Sequence, residues 1–194
     1  IPCIIPPVVP NAILTSGHEV KYRDDVDWVG HSYVLHDFGE YKIIDSAQQL
    51  DKDQFTNQAS DQDLMIFSFY PTKPVGSIDG GMIVSNDEEK IRKIKTLSRY
   101  GATFEINSWE KKHVLPGWKM YMNSVQAYVG LQNFKKLESK AKRFDEIREF
   151  YNDSQWVEYG DGDGAHTFAY ASGTSFTVNG ANVTAIYETN RRVK

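Results

Sequence analysis

A single lysine, Lys73, stands in a stretch of Pro, Gly and Ser residues between two apolar segments at 64–67 and 82–84. Each apolar segment has the length of a short buried strand, so the lysine would follow the end of one strand and precede the next. Burial of an amine disfavours its charged form and lowers its pKa towards the range in which it forms a Schiff base. The same pattern also fits an ordinary solvated lysine in a turn, and spacing alone favours that simpler interpretation.

Three further motifs accompany the lysine stretch Ser68-Phe69-Tyr70-Pro71-Thr72-Lys73, after which Asp79-Gly80-Gly81 occupies the sixth to eighth positions. Upstream, an apolar strand pattern ends in Asp45-Ser46-Ala47-Gln48. Downstream lie an amphipathic segment at 85–97 and a block that runs from Pro116 to Ala127. In this order, over about residues 1–151, the motifs resemble the DegT/DnrJ/EryC1/StrS family of pyridoxal-phosphate (PLP)-dependent sugar aminotransferases. Four ordered matches are far more specific than any one of them.

The resemblance implies chemical roles for four residues. Lys73 would bind PLP as a Schiff base, and Asp45 would pair with the protonated pyridine nitrogen, which makes the cofactor a better electron sink. Gln48 would contact the ring or its 3-oxygen, and Ser68 would bind the phosphate. Once the amino donor has freed it, Lys73 would move a proton between the cofactor carbon and the substrate carbon.

The same resemblance implies contacts to the substrate or to a partner subunit. Tyr70 and Lys119 are the candidate residues. Lys119 follows Gly117 and Trp118 as in one version of the family's pattern, whereas Met120 departs from it. The resemblance further implies a homodimer with active sites at the subunit boundary, a keto-sugar nucleotide as the substrate, and glutamate or a similar amino donor.

Two functional hypotheses stay open on the sequence. The first is an enzyme that uses PLP to transfer an amino group to a keto-sugar nucleotide. The second is a shortened descendant that has lost the cofactor and serves as a binding or structural assembly component, as small β modules do in virus particles. The family's upstream phosphate-binding loop at a helix N-terminus is expected to be missing, although a separately encoded half could supply it. The joint presence of Asp45, Gln48, Ser68 and Lys73 favours the enzyme.

Composition and charge narrow the class of protein. The chain of 194 residues is 40% hydrophobic and 25% charged, as is usual for a globular protein. Its net charge of −4 gives no signal for binding nucleic acid. No segment has the apolar length of a membrane span, and Cys3 is the only cysteine, so a reducing, cytoplasmic location is expected. His31 and His36 lack neighbours that would complete a metal site, so no metal is expected.

The predicted fold is α/β: a mostly parallel sheet with packed helices, resembling the large domain of fold-type I PLP aminotransferases, plus a small β-rich C-terminal appendage. Strands of this sheet are predicted near residues 19–24, 29–35, 41–45, 64–69 and 81–85. The apolar period predicts helices at 87–99 and continuously from 123 to 151. The polar stretch 51–63 is predicted to be an irregular loop.

The predicted domain boundary falls after the second helix. Residues 1–151 would form a shortened aminotransferase-like domain, and residues 152–194 would form the appendage. Strands of the appendage are predicted at 155–159, 167–170, 175–178 and 183–187, with Asn179-Gly180 as a hairpin turn. The Gly160–Gly164 stretch is predicted to be a plain turn and not a calcium loop, because the closing bidentate acid is missing.

Overall fold

The computed structural model describes residues 1–3, 5–24, 28, 30–104, 107–153, 174–178 and 181–185. The chain divides into two compact units, one formed by Gly30–Lys135 and the other by Ile1–Val29 with Lys136–Lys194. We call the first of these the site unit, because it contains every residue for which the sequence predicts a role. The predicted domain boundary at residues 151 and 152 stays a prediction.

Five α-helices and six strands are described. The helices are α1 (Val8–Thr15), α2 (Gln54–Gln58), α3 (Glu88–Ser98), α4 (Ser124–Phe134) and α5 (Leu137–Asp153), with a short 3-10 helix at Ser108–Glu110. The strands are β1 (Tyr33–Asp37), β2 (Lys42–Asp45), β3 (Leu64–Ser68), β4 (Gly81–Val84), β5 (Thr174–Val178) and β6 (Ala181–Ala185). None of the helices in the described ranges is long and apolar enough to cross a membrane.

The sheet of the site unit has the order β1-β2-β3-β4, and this arrangement confirms the α/β class. It is mixed, however, and the prediction of a mostly parallel sheet was wrong in this respect: only β2 and β3 are parallel. The connections explain the difference. A parallel pair needs a long crossover, usually helical, and only the connection at 46–63 contains a helix, α2. The connections at 38–41 and 69–80 contain no regular element and join antiparallel neighbours.

The core of the site unit lies on β2 and β3. Ile44, Met65 and Phe67 are buried together. Partly buried side chains pack against them from the surrounding elements: Leu50, Phe55, Ala59, Phe69 and Val84. Residues 51–63 were predicted to be an irregular loop, and this was wrong for 54–58, which form α2. Phe55 on this helix and Ala59, the extended residue that follows it, both pack against the core.

Two other predicted elements differ from the structure. The strand predicted at 19–24 is absent, and only a single bridge joins Arg23 to Pro2, because no neighbouring strand extends the pairing. The continuous helix predicted from 123 to 151 is broken into α4 and α5. The break falls at Lys135 and Lys136, where the sequence has no glycine or proline to signal it.

The helix predicted at 87–99 is confirmed as α3, and its cap is Asp87, whose carboxylate accepts the Lys90 N–H at 2.9 Å. Asn123 caps α4 in a capping box with Gln126. The hairpin predicted around Asn179-Gly180 is supported by β5 and β6, which pair antiparallel up to Val178 and Ala181. The strands predicted at 155–159 and 167–170, and the turn at Gly160–Gly164, lie outside the described residues.

Candidate functional site

The candidate site lies at the carboxyl ends of β2 and β3. The two strands run parallel with Asp45 opposite Ile66, and the Ser46 N–H continues the pairing by donating to the Ile66 carbonyl at 2.8 Å. Asp45 and Ser68 therefore end neighbouring strands at the same edge of the sheet. This edge is where α/β proteins generally bind their ligands.

Both oxygens of the Asp45 carboxylate have a donor within the chain. The Tyr33 hydroxyl donates to Oδ2 at 3.0 Å, and the Ala47 backbone N–H donates to Oδ1 at 2.9 Å. Tyr33 is the direct cross-strand partner of Asp45 on β1, which places the two side chains on one face of the sheet. Burial raises the pKa of the Tyr33 phenol far above its ordinary value, and the neighbouring carboxylate adds to the effect. Tyr33 is therefore a neutral donor that orients Asp45.

Lys73 lies half-buried in the loop between β3 and β4, which we call the lysine loop (residues 69–80). Burial lowers the pKa of its ammonium, and the negative charge of Asp45 partly opposes this effect. Lys73 Nζ donates no hydrogen bond to any residue in the described ranges. The amine is thus partly desolvated and unoccupied within the described chain, as a nucleophilic lysine requires.

Backbone hydrogen bonds set the shape of the lysine loop. The Phe69 N–H donates to the Gly80 carbonyl at 2.9 Å, and the Ser77 N–H donates to the Phe69 carbonyl at 2.7 Å. Gly76 has φ +63°, and a Cβ at this position would lie 2.7 Å from the Pro71 carbonyl oxygen. The turn after Lys73 therefore requires a residue without a side chain at Gly76.

Ser68 lines a shallow recess next to the lysine loop, and Gln48 follows Ala47, which lines the same recess. The Ser68 hydroxyl oxygen accepts the Tyr70 N–H at 3.3 Å, whereas the half-buried Gln48 side chain has no hydrogen bond to the part of the chain that is described. Tyr70 is 55% exposed at the rim of the loop. The recess is lined by residues from the turn after β2, from β3 and from the lysine loop: Ser46, Ala47, Phe67, Ser68, Pro74 and Val75.

Lys119 is separate from this group. It is exposed, and its backbone forms a single antiparallel bridge with Arg99. Its predicted contact with the substrate or a partner subunit stays a prediction. In the described ranges, no three His, Cys, Asp or Glu side chains are grouped as a metal site would require, and His31 and His36 are exposed.

The sequence interpretation missed the buried polar contacts that support the site. Ser46 and Gln54 are 1% and 3% exposed, respectively. The Gln54 amide donates to the Ser46 hydroxyl at 2.5 Å, and the Ser46 hydroxyl donates to the Gln49 carbonyl at 3.0 Å. Tyr33 was also missed, because its contact with Asp45 depends on the register of β1 against β2, which the sequence does not show.

Comparison with known proteins identifies one family. The family model for DegT/DnrJ/EryC1/StrS aminotransferases matches residues 42–156, a range that includes Asp45, Gln48, Ser68, Lys73 and Lys119. The chain is 36% identical over 90 residues to a UDP-4-amino-4,6-dideoxy-N-acetyl-beta-L-altrosamine transaminase from Campylobacter jejuni, which covers 46% of this chain and 24% of the relative.

A second relative supports this match, and a solved structure has a similar fold. The spore coat polysaccharide biosynthesis protein SpsC from Bacillus subtilis is 39% identical over 92 residues, covering 44% of this chain and 24% of the relative. A solved structure from Bacillus cereus, assigned as a PLP-dependent aminotransferase, has a TM-score of 0.56 at 21% identity and covers 78% of this chain and 50% of its own. That structure shares the fold. The chain spans about a quarter of the length of the two curated relatives.

Proposed function

Because the chain belongs to the DegT/DnrJ/EryC1/StrS aminotransferase family, whose members depend on PLP, we propose that it takes part in PLP-dependent transfer of an amino group to a keto-sugar nucleotide. The observation that carries this proposal is the placement of Lys73. Its amine is half-buried, its pKa is lowered, and the Asp45 carboxylate is close enough to influence that pKa.

The residues present fit the cofactor by their chemistry. Lys73 offers an amine without a hydrogen-bond partner among the described residues, and Asp45 offers an oriented carboxylate for the pyridine nitrogen. The Ser68 hydroxyl would bind the phosphate, and the Gln48 amide would contact the ring, as the family resemblance implies. When bound, PLP supplies an electron sink that stabilises negative charge at the substrate carbon.

Asp45 and Lys73 would act differently. A carboxylate has about four acceptor sites, and Asp45 uses two of them, for Tyr33 and Ala47. It therefore keeps acceptor capacity for a positively charged ring nitrogen while its orientation is fixed. Lys73 has a lowered pKa, so a larger fraction of it is neutral near pH 7 than for an exposed lysine, and it can both take and return a proton at Nζ.

The substrate, donor and assembly form the finer part of the proposal. The Campylobacter jejuni relative is named as a transaminase of a UDP-linked amino sugar, which supports a nucleotide-linked sugar as the acceptor. We propose glutamate or a similar compound as the donor and a homodimer as the assembly. Exposed Tyr70 and Lys119 would then face the substrate or the partner subunit.

The test is covalent capture of the cofactor. The purified chain is incubated with PLP, its absorption spectrum is recorded, and the mixture is reduced with borohydride and mapped by peptide mass. The expected result is a reducible adduct on Lys73. Lys73→Ala should abolish the adduct, whereas Lys119→Ala, which removes an exposed lysine outside the recess, should keep it.

A different pattern of labelling would contradict the proposal. Random labelling of exposed lysines, equal in wild type and Lys73→Ala, would mean that this chain does not bind the cofactor by itself. The binding or assembly hypothesis would then be favoured. Repeating the capture in the presence of candidate upstream chains would separate loss of the site from the need for a second component.

A further inference from the structure

The turn that follows Lys73 is attached to α4 through Ser77. The Ser77 side chain is 4% exposed, and its hydroxyl donates to the Gln126 backbone carbonyl at 2.6 Å. Gln126 lies in the first turn of α4, where it also forms the capping box with Asn123. The start of the helix and the centre of the lysine loop are therefore joined directly, over 49 residues of sequence.

The neighbouring residue of the loop is attached to the other end of the same helix. The Asn133 side-chain amide donates to the Gly76 backbone carbonyl at 2.6 Å, over 57 residues of sequence. Gly76 and Ser77 are the third and fourth residues after Lys73. Two successive residues are thus held at two positions about two turns apart on one helix, and this fixes both the position and the direction of the turn.

Small residues make this close contact possible. Gly130 lies on α4 between the two attachment points, and a Cβ there would lie 3.5 Å from the Ser77 Cβ. Gly80, at the end of the loop, has φ +116°, and a Cβ there would lie 2.7 Å from the Met122 side chain just before α4. The lysine loop is therefore seated on α4 along most of its second half.

We propose that Ser77 and Asn133 are positioning residues that hold Lys73 in its half-buried place by fixing the turn after it on α4. The relevance to catalysis rests on the function proposed above, but the positioning itself does not require the cofactor. Lys73 Nζ has no hydrogen bond within the described chain, so the position of Lys73 is determined by the backbone of its loop. The contacts of its backbone to α4 then determine how much solvent reaches the amine.

The experiment measures the reactivity of Lys73 without PLP. The chain is labelled with limiting amine-acylating reagent from pH 6 to pH 11, and the labelled fraction of Lys73 is compared with that of exposed Lys119. In wild type, the pH midpoint for Lys73 should lie below that for Lys119. In Ser77→Ala and in Asn133→Ala, the midpoint should rise towards that for Lys119, so that the neutral fraction at pH 8 falls about threefold or more.

Two matched variants separate positioning from general destabilisation. Ser124→Ala makes the same change at an exposed position of α4, and its Lys73 midpoint should equal that of wild type. Ser77→Thr keeps the hydroxyl, so the folded variant should keep the low Lys73 midpoint. The Asp45 charge, which also acts on Lys73, is unchanged in every variant.

An unchanged Lys73 midpoint in folded Ser77→Ala or Asn133→Ala would overturn the proposal. Circular dichroism establishes which variants are folded. If Ser77→Ala is unfolded, Asn133→Ala provides the test, because Asn133 is only half-buried. A Lys73 midpoint that is low in wild type and rises in both alanine variants would leave the positioning role standing. If no adduct then forms with or without candidate upstream chains, only the proposed function is rejected.

Discussion

The two sides of the candidate site hold their reactive groups by different means. On the carboxylate side, the Asp45 side chain itself receives two hydrogen bonds, from Tyr33 and Ala47, and the following turn is fixed by buried Ser46 and Gln54. On the lysine side, the backbone of the loop is fixed, while Lys73 Nζ donates to none of the described residues.

This difference matches what each group would have to do. A carboxylate that stabilises a positive charge must keep one orientation, and direct hydrogen bonds provide it. An amine that forms and releases a covalent bond must stay free at its nitrogen, so only its backbone can be held. Asp45 is therefore held at its side chain, whereas Lys73 is held only through the backbone of its loop.

The largest effect on the lysine side is expected for Gly76→Ala. The new Cβ would lie 2.7 Å from the Pro71 carbonyl oxygen at φ +63°, so the variant should lose about 2 kcal/mol or more of unfolding free energy in urea. Gly39→Ala is the matched control, because Gly39 also has positive φ but nothing within 4 Å of a Cβ. Equal losses for the two variants would show that the contact with Pro71 is unimportant.

On the carboxylate side, Gln54→Ala should come next. It leaves the buried Ser46 hydroxyl without its donor, so a loss of about 1–3 kcal/mol is expected in urea unfolding. Asn57→Ala, which removes an exposed amide from the same helix, should cost clearly less. The reactivity of Lys73 should stay as in wild type, and a change in it would mean that the two sides are not held separately.

A smaller effect is expected for Tyr33→Phe. The change removes one hydrogen bond to Asp45 and keeps the buried ring, so the loss of unfolding free energy should be about 1 kcal/mol. Tyr128→Phe, at a residue that is 64% exposed, serves as the control and should be close to neutral. If the two variants were equally stable, the phenol would not be a significant support of Asp45.

The smallest effect is the pH dependence that Lys73 adds to stability. The pKa of Lys73 is lowered on folding from its ordinary value of 10.5, so the unfolded chain binds more protons between the lowered value and 10.5. The stability of wild type relative to Lys73→Met should therefore rise with pH across that window and be constant below it. Urea unfolding of both proteins from pH 7 to pH 11 measures this difference, and parallel curves would contradict the burial of the amine.

Local patterns were sufficient to predict much of this molecule. Alternating and apolar runs predicted the strands that became β2, β3 and β4, and the acidic start and apolar period predicted α3. The motifs containing Asp45 and Lys73 predicted the family, because the spacing of such motifs is set by the chemistry that they serve. Asn179-Gly180 likewise predicted the hairpin of β5 and β6, since a tight turn is encoded by its own residues.

The contacts that hold the site residues in place could be seen only in the tertiary structure. The sheet is mixed because only the connection between β2 and β3 contains a helix. The short helix α2 is stabilised by the contacts of Phe55, and of Ala59 just after it, with the core. The contacts of Tyr33 with Asp45, of Gln54 with Ser46 and of Ser77 and Asn133 with their partners join distant parts of the chain. Short sequence motifs identify the residue types of a reactive site. The orientation and solvation of those residues depend on contacts with distant parts of the chain, which form only on folding.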